Sequence, residues 1–465
     1  MKLLTAAQGV RSIQLAVFAL KVPYLFVGYG PEEDAWGHVY NIIEMYEEGH
    51  YIISRLPGHP AYEALMFLFF PLIKFPFIIN GLSALAGSLA IGEFFRLMCI
   101  VRTKHSILWT LAFGLFPAFF IGSTYAIDYA FTTWLMLRGV RLLLQGNYTN
   151  SGVYIGLSAA FRITSLALLL PAVILMFQKK VNFRYYVYFL ASSSFVAGLF
   201  YLPAILTYGS GFFDFHRPPG SGFLKAFYKF LPGAWGVLGS AGILLLLIFF
   251  IKSLRKEQLR EYFKNPVILF SLLTVALFTT AYVCLPEKSA FTIPIYSFLM
   301  LICASQQIRY IRFILVTLCA SIFIMGVQFV HPYRGIDPSD FSVQHRFGDS
   351  STEFSPFKGL YFSELEKRKN KNKFAQCAYK ALSEYSDSNM VVIAGWWYAN
   401  LKTIEWNRQS FLNVHLVYYL TEDQVQDYLR QGYTIRHLEE LHLVNDRLKR
   451  TKLKNSSKKI EISCI

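Results

Sequence analysis

Charge is scarce in this sequence: Asp, Glu, Lys and Arg make up 16% of its 465 residues, against 54% hydrophobic ones. Mean hydropathy is positive, at +0.38. The scarcity excludes an ordinary soluble chain. Apolar runs of membrane-spanning length recur from residue 10 to residue 330. A helix crossing hydrocarbon needs roughly 20 mostly apolar residues, and its backbone polar groups find no water there. Cysteine is sparse too, at six residues with no CxxC pair, which excludes a clustered thiolate metal site and a dithiol redox motif. Cys99, Cys284, Cys303 and Cys319 lie in or beside apolar runs and read as small hydrophobes. Cys377 and Cys464 lie in the polar C-terminal part, where they can pair if it faces an oxidising compartment. No internal repeat of fixed period occurs, which counts against transporter folds built from inverted repeats. A cleavable leader is not evident either: the first apolar stretch is interrupted by Lys21, continues past it and lacks a small-residue cleavage site. It reads as a retained first span.

What is present in excess is positive charge, +16 net. The Lys and Arg cluster in short segments between apolar runs, with no zinc-finger or basic-helix pattern, so they report topology and anionic-lipid contact rather than nucleic acid. About eleven candidate spans follow, near 10–29, 80–100, 106–124, 129–145, 152–161, 163–178, 185–206, 231–251, 266–284, 290–306 and 312–330. Basic connectors at Arg11, Arg102 to His105, Lys179 to Arg184, Lys252 to Lys264 and Arg309 to Arg312 then fall on one side, the cytoplasmic one. The opposite side receives the loop 30–79, the turn Tyr125 to Asp128, the loop Thr207 to Phe230, the turn Pro286-Glu287-Lys288 and everything after 331. If 152–161 and 163–178 form one kinked span, that parity changes. The stretch Ala61 to Ile79 is long enough to span but holds Glu63, Pro71, Lys74 and Pro76, and reads as interfacial or re-entrant.

Residues 331–465 are polar. Gly335 to Gly359 reads as irregular and Ser363 to Tyr385 as a charged helix. Met390 to Ala394, Val414 to Tyr419 and Thr434 to His437 read as strands. Thr421-Glu422-Asp423-Gln424 is a capping box opening a helix that Gly432 closes. The alternation predicts a small α/β domain, followed by a frayed basic tail from Arg447 to Lys459.

Few charges remain to carry chemistry. Asp34 lies in Gly30-Pro31-Glu32-Glu33-Asp34-Ala35-Trp36, just past the first span, in a loop that also holds Glu44, Glu47 and Glu48. The ordinary reading is a solvated acidic loop. An acid beside aromatic residues at a membrane rim is also where a general base for an amphiphilic substrate has to be. Ser54-Arg55-Leu56-Pro57-Gly58-His59-Pro60 is an interfacial turn with a snorkelling Arg, or a phosphate site in which Arg55 and His59 supply positive charge. Asp128 is a lone acid between two apolar runs, where burial is costly unless a polar cavity receives it. Arg162 either snorkels or lines that cavity. Lys288 either pairs with Glu287 or contacts a phosphate. Asp214, His216 and Arg217 are weaker candidates, and Trp396 and Trp397 either pack or stack on sugar rings.

The order of these pieces resembles the GT-C superfamily of membrane glycosyltransferases, especially the protein O-mannosyltransferase and lipid A aminoarabinose transferase branch. The resemblance is carried by "PEEDAW", "RLPGHPAYEAL", "TYAIDYAFTTW", "GLSAAFRITSLALLLP" and "LPEKSAFTIPIYSFLML", each short and degenerate. It implies a polytopic α-helical membrane protein of a bacterial inner membrane, with an extracytoplasmic C-terminal domain. Such an enzyme moves a sugar from a polyprenyl-phosphate donor to a glycan, lipid or protein acceptor, with inversion. On that resemblance Asp34 is the catalytic base, with Glu33 as the alternative because relatives commonly have Asp followed by Glu. Asp128 is the second acid, His59 stands in a position that is often basic, and Arg162 in one that is often Lys. Cations for the leaving phosphate are then Arg55, His59, Arg162 and Lys288, or a bound divalent metal ion. The rival readings are a flippase or transporter for lipid-linked glycans, which would place its functional charges near the bilayer midplane, and a polymerase-type ligase acting on the same carriers.

Overall fold

The computed structural model describes residues 2–213, 222–254, 264–330, 343–347, 350–385, 389–410, 412–438, 457–460 and 462. Most of them are helical. The chain opens with α1 (Lys2–Leu25), α2 (Glu33–Glu48), α3 (Pro60–Leu68) and α4 (Pro76–Val101). Next come α5 (Ser106–Gly114), α6 (Pro117–Gly122), α7 (Tyr129–Leu144), α8 (Tyr148–Phe161), α9 (Leu169–Gln178) and α10 (Phe183–Tyr208). The apolar part ends with α11 (Phe223–Phe230), α12 (Pro232–Ser253), α13 (Pro266–Cys284), α14 (Ile293–Ala304) and α15 (Ile311–Ala320).

Among the described residues, four helices are long and apolar enough to cross a membrane: α4, α10, α12 and α13. Shorter apolar helical stretches cover Ile163–Gln178, Ser289–Ala304 and Ile311–Ala320. α10 leaves Phe183, Val187, Tyr188, Phe195, Leu199, Leu202 and Leu206 exposed, a surface that lipid rather than water solvates.

Proline sets several breaks. Pro117 separates α5 from α6 inside the expected span 106–124, and Pro71 sits in a 3₁₀ turn that ends α3, before α4 starts at Pro76. The stretch 61–79 is therefore not one continuous helix. The expected last span, 312–330, needs correction: α15 stops at Ala320 and Gly326–Val330 form a strand, β1. Hydropathy alone cannot make this distinction, because a buried strand and a helix segment are equally apolar.

Packing between α8 and α10 depends on Gly152 and Gly156, a G-x-x-x-G pair. A Cβ at either position would overlap the backbone of Phe189 or Ser193 on α10. Small residues four apart let two membrane helices approach to backbone contact, and this places the end of α8, with Arg162 just beyond it, against the rest of the bundle.

The C-terminal part forms two sheets. β1 pairs antiparallel with β3 (Ser350–Ser355), which pairs antiparallel with β2 (Val343–Phe347). The region read as irregular thus holds two strands; its Asp, Ser and Gly content masked a short pairing segment. The second sheet is parallel, in the order β5 (His415–Val417), β4 (Met390–Ile393), β6 (Thr434–His437) and β7 (Ser457–Lys459). Helices α16 (Leu360–Ser383), α17 (Tyr398–Arg408) and α18 (Glu422–Arg430) accompany it. All of Met390-Val391-Val392-Ile393 is buried. Met390 and Val392 pack with Ala378, Leu382 and Leu401 of α16 and α17, whereas Val391 and Ile393 pack with Val425 of α18. Both faces of a parallel strand are covered in this way, which explains its unbroken apolar run.

The capping box at Thr421 and Gln424 is present, and Gly432 follows α18 with φ +86°. The tail is not wholly frayed, since Ser457–Lys459 pair with Ile435–His437. Cys377 on α16 is disulfide-bonded, Cys99, Cys284, Cys303 and Cys319 are free, and Cys464 lies outside the described residues.

Candidate active site

Glu33 and Asp34 occupy the first turn of α2, where the exposed N–H groups of a helix start favour negative charge. The entry to that turn is closed by Trp36, whose indole N–H donates to the Gly30 carbonyl at 3.0 Å. Asp34 is not simply solvated: Lys288 Nζ lies 2.5 Å and Arg55 Nη1 3.2 Å from its Oδ2. Lys288 also reaches Glu32 Oε2 at 2.5 Å, Arg55 lies 3.8 Å from Glu287, and Tyr125 donates its hydroxyl proton to Glu32 at 3.1 Å. Residues from four separate segments thus form one charged cluster.

Asp128, the residue just before α7, anchors a second cluster. Its side chain is 0% exposed. Arg162, just after α8, holds it in a two-pronged pair, Nε to Oδ2 at 2.7 Å and Nη2 to Oδ1 at 2.8 Å. Such fork-to-fork geometry is the strongest form of this contact. The guanidinium lies 4.4 Å from the Tyr129 ring centre and 5.3 Å from that of Phe291. His59 Nδ1 donates its hydrogen to the Phe161 carbonyl at 2.9 Å and stands 3.6 Å from Asp128 Oδ2. Its ring meets that of His38 edge-on, 5.2 Å between centres. His38 lies one helical turn beyond Asp34 on α2 and within electrostatic reach of both carboxylates, Asp34 and Asp128. Tyr129 likewise feels Lys288 and Arg162, so the two clusters are neighbours.

Burial and charge oppose each other throughout. Burial pushes the Asp34 carboxyl up, but Lys288 and Arg55 outweigh it and hold the group well below the usual carboxylate range. Burial would lower Lys288; Glu32 and Asp34 raise it well above the ordinary lysine value. Asp128 is raised by burial and lowered further by Arg162 and His59, with a net downward shift. The imidazoles follow their burial: His38 is pushed down to about 4, and His59 is lowered as well. His59 is accordingly a neutral imidazole near pH 7, and the positive charge at the site comes from Arg55, Arg162 and Lys288.

The sequence-based reading passed over four residues here. Glu32 was read as part of a solvated acidic run, yet it binds Lys288. Glu63, 1% exposed, accepts hydrogen bonds from the hydroxyls of Tyr51 and Ser54, at 2.5 Å each, and from the Ser54 amide at 3.1 Å. It thereby shapes the turn carrying Arg55 and His59. His38 could have been found from its i+4 spacing to Asp34. Arg368 had no local signal. It lies on α16, 1% exposed, and donates to the Tyr24 and Thr124 carbonyls at 3.2 and 3.0 Å and to the Thr124 hydroxyl at 2.8 Å. Its guanidinium lies about 5 Å from the rings of Tyr24 and Tyr125. Lys371, on the same helix, donates to the Pro31 carbonyl. α16 therefore grips both the loop before α2 and the turn that leads to Asp128.

Replacing Arg368 by Met keeps the bulk and removes the donors. The Thr124 turn then loses its anchor, at a cost of about 1–3 kcal/mol, measurable as a lower thermal midpoint in detergent. An unchanged midpoint would show that α16 does not brace the site. Trp397 is buried and packs on Phe374, with ring centres 4.5 Å apart, which is the packing role rather than a sugar platform. Asp214, His216 and Arg217 lie outside the described residues.

No known protein family and no curated protein matches the chain. Solved structures of ArnT from Cupriavidus metallidurans do. The form bound to undecaprenyl phosphate is 13% identical over 63% of this chain, with a TM-score of 0.45. The apo form is 16% identical over 64%, with a TM-score of 0.44. The match spans 58% and 59% of the length of those two chains. The chain is similar to these two ArnT structures, at low identity and over part of their length.

Proposed function

We propose that this protein is an integral membrane glycosyltransferase that moves a sugar from a polyprenyl-phosphate donor to an acceptor hydroxyl outside the cytoplasm, with inversion at the anomeric carbon. The observation that carries the reading is the convergence of Asp34, Arg55 and Lys288, beside Asp128 and Arg162, from segments far apart in the chain. An amphiphilic phosphate needs cations, its acceptor needs a base, and both have to sit at the rim of an apolar bundle.

In this mechanism Lys288, Arg55 and Arg162 stabilise the phosphate as the glycosidic bond breaks and its charge grows. Asp34 receives the acceptor proton. Because its pairing keeps it weakly basic, the proton moves late, once the attacking oxygen has begun to bond to carbon and has become acidic. Glu33, its neighbour on α2, is the alternative base. Asp128 holds the Arg162 fork in place, and His59 contributes a neutral imidazole. The acceptor is a glycan, lipid or protein.

The orientation follows from the basic connectors, which face the cytoplasm of a bacterial inner membrane. Residues 331–465 then form an extracytoplasmic domain joined to the membrane domain 1–330, whose last strand, β1, pairs with β3. The disulfide at Cys377 supports this placement, since such bonds persist in oxidising compartments.

The test is to incubate purified protein with labelled polyprenyl-phosphate sugars and measure release of polyprenyl phosphate. No release with any donor, together with labelled lipid crossing a liposome bilayer, would replace this reading with the flippase. The paired charges also set a pH expectation. Asp34, with a lowered pKa, contributes stability that is present above the ordinary carboxylate value, ~3.9, and is lost as pH falls through its depressed one. Lys288, with a raised pKa, contributes stability present below ~10.4 and lost only as pH rises through its elevated value. Neither group limits kcat/KM between about pH 5 and 9. A limb in that window that moves in Lys288→Arg would contradict the pairing.

A further inference from the structure

We propose that His38, His59 and Asp128 form a binding site for a first-row divalent metal ion of the zinc class. One ligand atom from each of the three side chains lies within 4.8 Å of the other two. Ligand atoms around tetrahedral zinc stand about 3.3 Å apart, given bonds of ~2.0–2.1 Å, so side-chain rotations have to draw the set together.

Two further observations point to a ligand rather than to packing. His38 is 4% exposed, and its Nδ1 is buried with no hydrogen-bond partner, an arrangement that is costly for a polar atom unless something else occupies it. His59 donates its Nδ1–H to the Phe161 carbonyl. That bond leaves the lone pair on Nε2 and is the outer contact that metal-bound histidines use to fix their tautomer; Nδ1 is also the atom 3.6 Å from Asp128 Oδ2, so the ring has to turn to present Nε2 to an ion shared with that carboxylate. Two imidazoles and one carboxylate suit zinc-like ions rather than magnesium or calcium, which prefer all-oxygen sites. Three protein ligands also leave a coordination position open.

The site deepens the transferase reading and rests on it for its role: an ion here would face the donor phosphate and supply Lewis acidity. Arg162 already engages both oxygens of Asp128. A carboxylate has about four lone-pair sites, so ion and guanidinium share Asp128 in competition. Removing the arginine should then tighten metal binding while weakening the bundle.

The experiment is calorimetric titration of the tag-free, chelator-stripped full chain in detergent with Zn²⁺ and, separately, Mg²⁺. The expected result is one equivalent of Zn²⁺ bound far more tightly than Mg²⁺. Affinity should fall at least about tenfold in His38→Gln and in His59→Gln, a loss the size of that seen for outer contacts alone, and should rise in Arg162→Gln. Folding of each variant is checked by gel filtration. Absence of zinc binding, or affinity unchanged in whichever histidine variant remains folded, would overturn the proposal. Sugar transfer by protein that binds no zinc would remove this site and leave the transferase; zinc binding without transfer would do the reverse.

Discussion

Asp34→Asn is expected to lower transfer from a polyprenyl-phosphate sugar by at least ~100-fold, the low end of what a positioned general base contributes. The substitution is nearly isosteric, so the protein should stay folded and membrane-inserted. It should also leave Lys288 paired with Glu32, 2.5 Å away, and Arg55 near Glu287 at 3.8 Å. Those surviving partners matter to the interpretation. If Asp34 served only to neutralise Lys288 and Arg55, Glu32 and Glu287 would take over and activity would fall little. A large loss in kcat with a modest change in KM therefore assigns the base role to Asp34. Retained activity in purified, monodisperse Asp34→Asn protein would move the role to Glu33 or Asp128, and the same substitution at Glu33 would then be decisive.

The largest stability effect is expected at Arg162. Asp128 is wholly buried and Arg162 is 19% exposed, so removing the arginine strands a carboxylate that cannot reach water. Arg162→Met should cost about 3–5 kcal/mol, as for other buried pairs that lose one partner. The converse substitution, Asp128→Asn, should cost less, because the guanidinium retains partial access to solvent and its contacts with the Tyr129 and Phe291 rings. In the double variant the stranded charge is gone and much of the loss should be recovered. Unfolding in denaturing detergent would measure all three. Arg162→Met protein as stable as the parent would show that water reaches Asp128 and that the pair is not structural.

These residues show what could be read before any coordinates. Asp34, Asp128, Arg162 and Lys288 stood out because charge is rare in this chain and each lies beside the end of an apolar run, and Arg55 because it sits in an interfacial turn. Hydrocarbon penalises a charged group so strongly that one retained at a span end needs a reason. The same contrast fails in polar surroundings. Glu32 looked like an ordinary loop acid, Glu63 served only to mark the stretch 61–79 as a poor span, and Arg368 looked like one basic residue among several on a charged helix. Their burial comes from docking against segments remote in sequence, which leaves no periodic trace. The turn of α15 into β1 was missed for a related reason, since apolarity reports burial and not backbone conformation.

Hydropathy and basic connectors, both local properties, determined from the sequence alone that this is a polytopic membrane chain with a few of its scarce charges beside span ends. Capping at Thr421 and the strands at 390 and 434 were local too, set by side chains within a few residues of one another. Pairing was decided only by the tertiary structure: Lys288 with Asp34 across 254 residues, Arg162 with Asp128 across 34, Arg368 with Thr124 across 244. Which charges meet depends on how helices cross, and those crossings depend on shape, such as the Gly152 and Gly156 contact of α8 with α10. Close packing is a property of surfaces brought together, and no single segment carries it.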